Sequence, residues 1–407
     1  MRARSAAAAA LAAVLLGGAA PRHAATHEHS GTFKLAVPSG PVISGSRVAV
    51  GASGIAGPFT LALVGAGSLQ GHEFLAPLVD AATNATLIGA ARNAVAYGTL
   101  HIVPPPAPSR ALIAVASYDN GVALHDAKTF ALLGYAPIGG APGDVAFDRS
   151  GGIYAPATDG AALTRIAREP WTLQRIDGVP LGNEVAVDPR TGATFVTNRD
   201  VNGSGALTRI TPAGAVTLVK TGDTAEGLAL DGRGDAYVGN VNDTTVAVVD
   251  TRTMRVVRRL KSVPRTFGIA LDDERRRLFV VSNMSESMPG EGGRAAAIDL
   301  RSGRIVARSA RFAFPLGVAY DAARKRVIVT DEGSDTVQVL DAKTLHRAHA
   351  PLATCRTPWR PRIAGDRLYV PCARAGTVDV FNLRTLRRVA GAPFKTGGFP
   401  LGVAVWR

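Results

Sequence analysis

From about residue 109 onward, large apolar residues alternate with small or polar ones over runs of four to seven positions. A period of two marks a strand with one buried face, and helical spacing is nearly absent. The runs recur in a set order. A stretch with a small-residue centre, Pro142-Gly-Asp-Val-Ala-Phe-Asp148, returns at Gly182 to Asp188, Ala225 to Asp231, Thr266 to Asp272, Pro315 to Asp321 and Pro400 to Val405. A second type ends on Asn or Asp, as in Thr194 to Asn198, Ala236 to Asn240, Leu278 to Asn283 and Val327 to Asp331. A third follows at Thr245 to Asp250 and Thr336 to Asp341, and turn formers such as Asp188 to Gly192 and Asp231 to Gly234 separate the runs.

The aligned Asp148, Asp188, Asp231, Asp272 and Asp321 are 40, 43, 41 and 49 residues apart, close to the length of one four-stranded propeller blade. Seven pairs of second and third strands begin near Leu112, Ile153, Ala193, Ala236, Leu278, Val327 and Leu368. Innermost-strand copies also number seven if the divergent Pro358 to Ala364 counts, but none precedes Leu112 and the last ends the chain. The offset predicts that the C-terminal strand completes the first blade and removes the open edge of a linear stack. The fold class expected is therefore all-β, a seven-bladed β-propeller over residues 109–407 preceded by a small β-rich domain.

The segments Phe195-Val-Thr-Asn198, Tyr237-Val-Gly-Asn240 and Val327-Ile-Val-Thr-Asp331 resemble the YVTN-repeat family of β-propellers. Gly-His and Trp-Asp marks of WD40 repeats are missing, which argues against that scaffold class. The resemblance implies a secreted or periplasmic seven-bladed propeller. Relatives in fold include lactonase-like enzymes and propeller subunits of periplasmic dehydrogenases, so the repeat specifies the blade and leaves the activity open.

Arg2 and Arg4 ahead of the apolar run Ala6 to Leu16 read as a signal peptide over residues 1–25, cleaved between about 19 and 25. Eleven apolar residues are too few to span a bilayer, and no later segment is long and apolar enough. A periplasmic or secreted monomer is expected. His23, His27 and His29 lie just after the signal region, and a solvated tail outweighs a metal site for them. Residues 26–108 hold strand-like runs and a stiff linker at Pro104 to Pro108, with 74–96 read as a short helix or irregular connection.

Cys355 and Cys372 flank a hairpin turn near Ala364-Gly-Asp366 and are expected to pair as a disulfide across the first two strands of the last blade. The net charge of +14 comes mainly from arginine. Much of the surplus falls in outermost strands, at Arg255, Arg258, Arg259 and Lys261, at Arg304, Arg308 and Arg311, and at Arg387 and Arg388. Charged outer strands defend against edge pairing, and that reading outweighs an anionic partner on the basic outer surface. Aromatic residues are only 6% of the chain, which argues against stacking on single-stranded nucleic acid.

Candidate chemistry lies where the innermost-strand copies depart from the Gly-Val-Ala pattern. Asp144, Asn183 with Glu184, and Glu226 do so in consecutive blades, whereas Phe267, Leu316 and Leu401 are apolar. Asn198, Asn240 and Asn283 at second-strand ends would join the same rim, although an Asx turn role outweighs ligand binding for them. Three converging carboxylates, Asp144, Glu184 and Glu226, suit calcium or another divalent cation, or a polar substrate. Trp359 and Arg360, with Arg362 and Phe399, would form an aromatic and cationic wall opposite, or else a salt-bridged channel lining. No Gly-x-Ser-x-Gly, His-Glu-x-x-His, phosphate loop or haem-attachment motif occurs. The leading reading is an exported, non-catalytic binding or scaffold propeller for an unidentified small molecule or protein. The alternative is a lactonase-like hydrolase or isomerase using a divalent cation, with Glu184 or Glu226 as base.

Overall fold

The structure, a computed structural model, describes residues 32–407 apart from 56, 93, 120, 139 and 285–292. The signal-peptide reading and His23, His27 and His29 therefore lie outside the described residues.

The chain is a β-propeller. Antiparallel sheets follow one another in sequence order, five of four strands with innermost strands at Ala146–Phe147, Gly182–Val187, Ala225–Leu230, Thr266–Asp272 and Pro315–Asp321, and a last one of five strands with its innermost strand at Arg362–Ala364. The terminal strand Pro400–Trp406 pairs antiparallel with Leu112–Ser117, setting Leu112 opposite Trp406 and Val115 opposite Val403. It thereby supplies the innermost strand of the first sheet. Each innermost strand packs on the next, and the last, Arg362–Ala364, packs back on Pro400–Trp406, so the circuit closes over seven sheets traced in the described residues.

The repeated residues hold this ring together through local chemistry. In five of the sheets the aspartate at the end of the innermost strand caps its own turn: Asp231 Oδ1 accepts the backbone N–H groups of Arg233, Gly234 and Asp235 at 2.9 Å each. Its other oxygen takes Tyr237 Oη at 3.2 Å and, from the next sheet, Arg276 Nη1 at 2.8 Å. The threonine of the second strand joins neighbouring sheets near the axis. Thr197 Oγ1 accepts the Glu184 N–H at 3.0 Å and donates to the Glu226 carbonyl at 2.8 Å, and Thr330 makes the same pair of bonds to Gly317 and Trp359. The residue after it ties down the connection entering its own blade. Asn198 Nδ2 donates to the Pro180 carbonyl at 2.7 Å, and the Asp331 carboxylate accepts the Ala313 and Phe314 N–H groups.

Before the ring, Val42–Ile43 pairs in parallel with Leu132–Ala136, the outer strand of the first sheet, at Tyr135 and Val42. The sheet continues through Ala94–Val103 and Thr83–Ala91 to Thr60–Gly65, making eight strands. Of the stretch 74–96, expected as a short helix or irregular connection, 76–82 is an irregular connection, but from Thr83 on the chain forms a long hairpin, with Ala85, Leu87 and Gly89 facing inward. Ala and Gly at inward positions hid its period of two. Val42, Phe74, Leu87, Leu100 and Ile102 form a core of their own beneath it.

Cys355 and Cys372 are bonded, with Cα atoms 5.7 Å apart. Their placement corrects the expected one. The hairpin turns at Gly365-Asp366, where expected, pairing Ala364 with Arg367, but the midpoint of the two cysteines falls short of that turn, so Cys372 opposes Pro358 and not Cys355. Cys355 sits just beyond Leu352–Ala353, the outer strand of the sixth sheet, and the bond ties that sheet's exit to the second strand of the seventh.

Candidate functional site

The third position of each repeat copy that carries an innermost strand, counted from Pro142 or its equivalent, decides what reaches the axis. In four sheets it is Gly227, Gly268, Gly317 or Gly402, and a Cβ on Gly227 or Gly268 would stand 2.4 or 2.7 Å from the next strand's carbonyl oxygen. Glycine there lets neighbouring backbones approach directly. Asp144, Glu184 and Arg360 occupy the same position in the other three described copies. Innermost strands of the third and fourth sheets are bulged between their first and fourth positions, which bends the backbone and re-aims side chains. Each carboxylate then caps the adjacent strand: Glu184 Oε2 accepts the Leu228 N–H at 2.6 Å, and Asp144 Oδ2 accepts the Val185 N–H at 3.4 Å.

Arg360 crosses the axis from the opposite side. Its Nε lies 2.8 Å from Glu184 Oε1, its Nη2 3.0 Å from Glu226 Oε2, and its Nη1 donates to the Gly143 carbonyl at 3.1 Å. The guanidinium also lies over the Phe267 ring, 5.2 Å from its centroid. Arg362 Nη2 pairs with Asp144 Oδ2 at 2.6 Å, and Arg199 Nε with Glu226 Oε1 at 2.7 Å. Asn183 Nδ2 donates to Glu226 Oε2. The Nε contacts of Arg360 and Arg199 are close without hydrogen-bond alignment and count as ion pairs. Three buried carboxylates thus face three arginines, the pairing that buried charge requires.

Compensation is uneven, because Arg360 serves two carboxylates at once. Burial pushes Glu184 up to about 7, with Arg360 and Arg362 pulling it back and Asp144 adding a further push. At neutral pH its carboxyl is poised between charged and neutral.

A cavity of about 20 Å³ opens beside the hub, room for about one water. Tyr118, Thr158, Asn183, Arg199, Glu226 and Arg360 form its polar side, and Phe267, Trp359 and Leu401 its apolar side. Trp359 is buried edge-on against Phe267, with ring centroids 6.0 Å apart, and its Nε1 has no hydrogen-bond partner.

The structure therefore brings Asp144, Asn183, Glu184, Glu226, Trp359 and Arg360 together, as a salt-bridged lining. Asn198, Asn240 and Asn283 do not line the cavity: Asn240 meets Thr221 and Thr245, and Asn283 Oδ1 accepts from Arg265 Nε at 3.1 Å. Among the described residues, no group of three or more His, Cys, Asp or Glu is arranged to hold a metal ion. Arginine stands between the carboxylates proposed as calcium ligands. Arg199, Tyr118 and Thr158 were missed from sequence. Each comes within two residues after a second strand, a position that reads as variable loop along the chain but faces the axis in the ring. In the outer strands, Arg258 donates to the Leu300 carbonyl at 2.7 Å, and Arg388 holds Asp379 at 2.8 Å. No helix among the described residues is long and apolar enough to cross a membrane.

No family model and no curated protein matches the chain. Solved structures do. A putative 6-phosphogluconolactonase from Bacteroides fragilis superposes with a TM-score of 0.59 at 12% identity, over 75% of this chain and 100% of that one. Virginiamycin B lyase from Staphylococcus aureus gives 0.52 at 12% identity, over 65% and 90%. AztD from Citrobacter koseri, solved in its apo form, gives 0.50 at 14% identity, over 73% and 97%. At such identities the likeness is one of fold.

Proposed function

We propose that this is an exported propeller of the YVTN-repeat type that binds a polar ligand at the mouth of its channel without transforming it. One observation carries the reading: each channel carboxylate is already committed to an arginine. A hydrolase of the lactonase kind needs a free base and an electrophilic partner for the carbonyl. Glu184, with its raised pKa, is the carboxylate best tuned for a base, yet one oxygen faces Arg360 and the other takes the Leu228 N–H. The described histidines His72, His101, His125, His346 and His349 do not line the cavity. Its volume, about 20 Å³, is too small for a sugar ring. The arginine of the repeat's exceptions therefore works as a clamp that rigidifies a recognition surface.

The test is proton release from a panel of sugar lactones by the purified chain, with and without calcium. No turnover above buffer is expected. Turnover that disappears in Glu184→Gln would overturn the reading in favour of the lactonase-like alternative.

A further inference from the structure

We propose that the groove between the second and third sheets binds a sugar or other polyol through two neighbouring hydroxyl groups, at a site separate from the channel mouth. The chain uses one pentapeptide twice. Ala-Leu-Thr-Arg-Ile lies in the third strand of the second sheet, over 162–166, and in that of the third sheet, over 206–210. In the third sheet Arg209 Nη1 crosses to the fourth and donates to the Thr251 and Arg252 carbonyls at 2.9 and 2.8 Å. Arg258, Arg277, Arg326 and Arg367 stitch the later sheets to one another, and the last to the first, through carbonyls in the same turn. Arg165 does not cross. Its Nε donates to Tyr154 Oη within its own sheet at 3.0 Å, and its two terminal amino groups make no hydrogen bond or ion pair among the described residues.

A second filler is missing from the same place. Asp231 and Tyr237 in the fourth sheet receive Arg276 from a turn of the fifth, at 2.8 and 3.0 Å. Asp148 and Tyr154 repeat that pair in the second sheet, with Tyr154 Oη 3.3 Å from Asp148 Oδ2. The third sheet has Gly192 where the fifth has Arg276, four residues after the turn aspartate and in the same left-handed conformation. Asp148 is thus the one turn aspartate of the five without an ion pair among the described residues. A groove of about 710 Å³ opens there, within the roughly 300–1,000 Å³ of small-molecule sites.

The unspent groups converge. Arg165 and Asp148 meet at the Tyr154 hydroxyl, and Gln174 stands opposite Arg165 on the neighbouring strand, its amide without a hydrogen bond among the described residues. Both donors and acceptors remain. The guanidinium fork offers N–H groups to two oxygens side by side, while Asp148 Oδ2 and Gln174 Oε1 can accept hydrogens. A vicinal diol satisfies both at once. A carboxylate or phosphate would fill the fork but set its charge against Asp148. Of the other lining charges, Arg175 lies 2.7 Å from Asp177, Arg190 lies 3.5 Å from Asp188, and Arg149 is exposed.

The probes are D-glucose, D-galactose, D-mannose and sorbitol, each titrated against the chain by saturation-transfer NMR. At least one should receive saturable transfer. Arg165→Leu should weaken its midpoint about tenfold, the loss of one charged hydrogen-bonding group. Gly192→Arg should abolish the transfer, because it restores the filler that Arg276 provides elsewhere, at a turn position where arginine already sits. Sodium acetate and sodium phosphate should not displace the bound probe. If Gly192→Arg does not fold by circular dichroism, Arg165→Leu carries the test. Transfer to none of the four probes, or an unchanged midpoint in either folded variant, overturns the proposal. Displacement by acetate or phosphate also overturns it and makes the groove an anion site. None of these outcomes bears on the channel mouth, which shares no lining residue with the groove.

Discussion

Replacing Arg360 by methionine keeps an unbranched side chain and removes the charge that holds the ring's centre. Lost with it are the ion pairs to Glu184 and Glu226, the bond to the Gly143 carbonyl and the contact over Phe267. Removing one partner of a buried ion pair costs about 3–5 kcal/mol, because the other charge is left stranded. The lower end applies here. Glu226 keeps Arg199 and Asn183, and Glu184, already pushed up to about 7, can take a proton. A loss of about 3 kcal/mol is a large part of the roughly 5–15 kcal/mol of a typical fold. It should lower the melting temperature by roughly 4–5 °C for a chain of this length. The deficit must also depend on pH. Without Arg360 the folded-state pKa of Glu184 rises further, and a raised acid adds stability that is complete below its unfolded value and lost as pH rises through the folded one. Melting followed by circular dichroism at pH 5 and pH 8 should therefore show a smaller deficit at pH 5. Adding Glu184→Gln to Arg360→Met should restore part of the loss at pH 8. A variant that melts within about a degree of the parent at both pH values would refute the hub.

The intact protein should itself lose stability between about pH 5 and pH 8, by at most a few kcal/mol, as Glu184 gives up its proton; urea titrations across that range should show a flatter profile in Glu184→Gln. Gly402→Ala would place a Cβ 2.2 Å from Asp144 Oδ1, so it should cost about 1–3 kcal/mol in a denaturant melt and release Arg362, whereas a neutral effect would mean that the closing strand does not crowd Asp144. The Cys355–Cys372 bond should leave no thiol to label without reductant, and its removal in a double serine variant should cost about 3 kcal/mol. Two thiols labelled in the unreduced chain would contradict it.

The ring was legible because its strands obey one period and its exceptions stand out against that period. Pro400 to Val405 could be placed against Leu112 before any coordinates, since strand counts alone demanded closure. Asp144 and Glu184 showed themselves in the same way, as breaks in a glycine position, and Glu226 as a break in the apolar position before it. What they face was less legible, because a partner across the axis is remote in sequence: Arg360 reaches Gly143 over 217 residues and Glu226 over 134. Trp359 and Arg360 were singled out, yet whether they line an open wall or clamp the carboxylates depends on distances that spacing does not carry. Arg199 escaped notice beside Asn198, whose turn role is common to the repeat. The hairpin of Thr83–Ala91 and Ala94–Val103 was hidden by small residues on its inward face.

The central claim is that the channel's carboxylates belong to arginines. The most direct measurement is the melting temperature of the chain, freed of residues 1–25, in chelator and in rising calcium. The account predicts no change between the two. A calcium-dependent rise that vanishes in Glu184→Gln and in Glu226→Gln would contradict it and make the same rim a cation site.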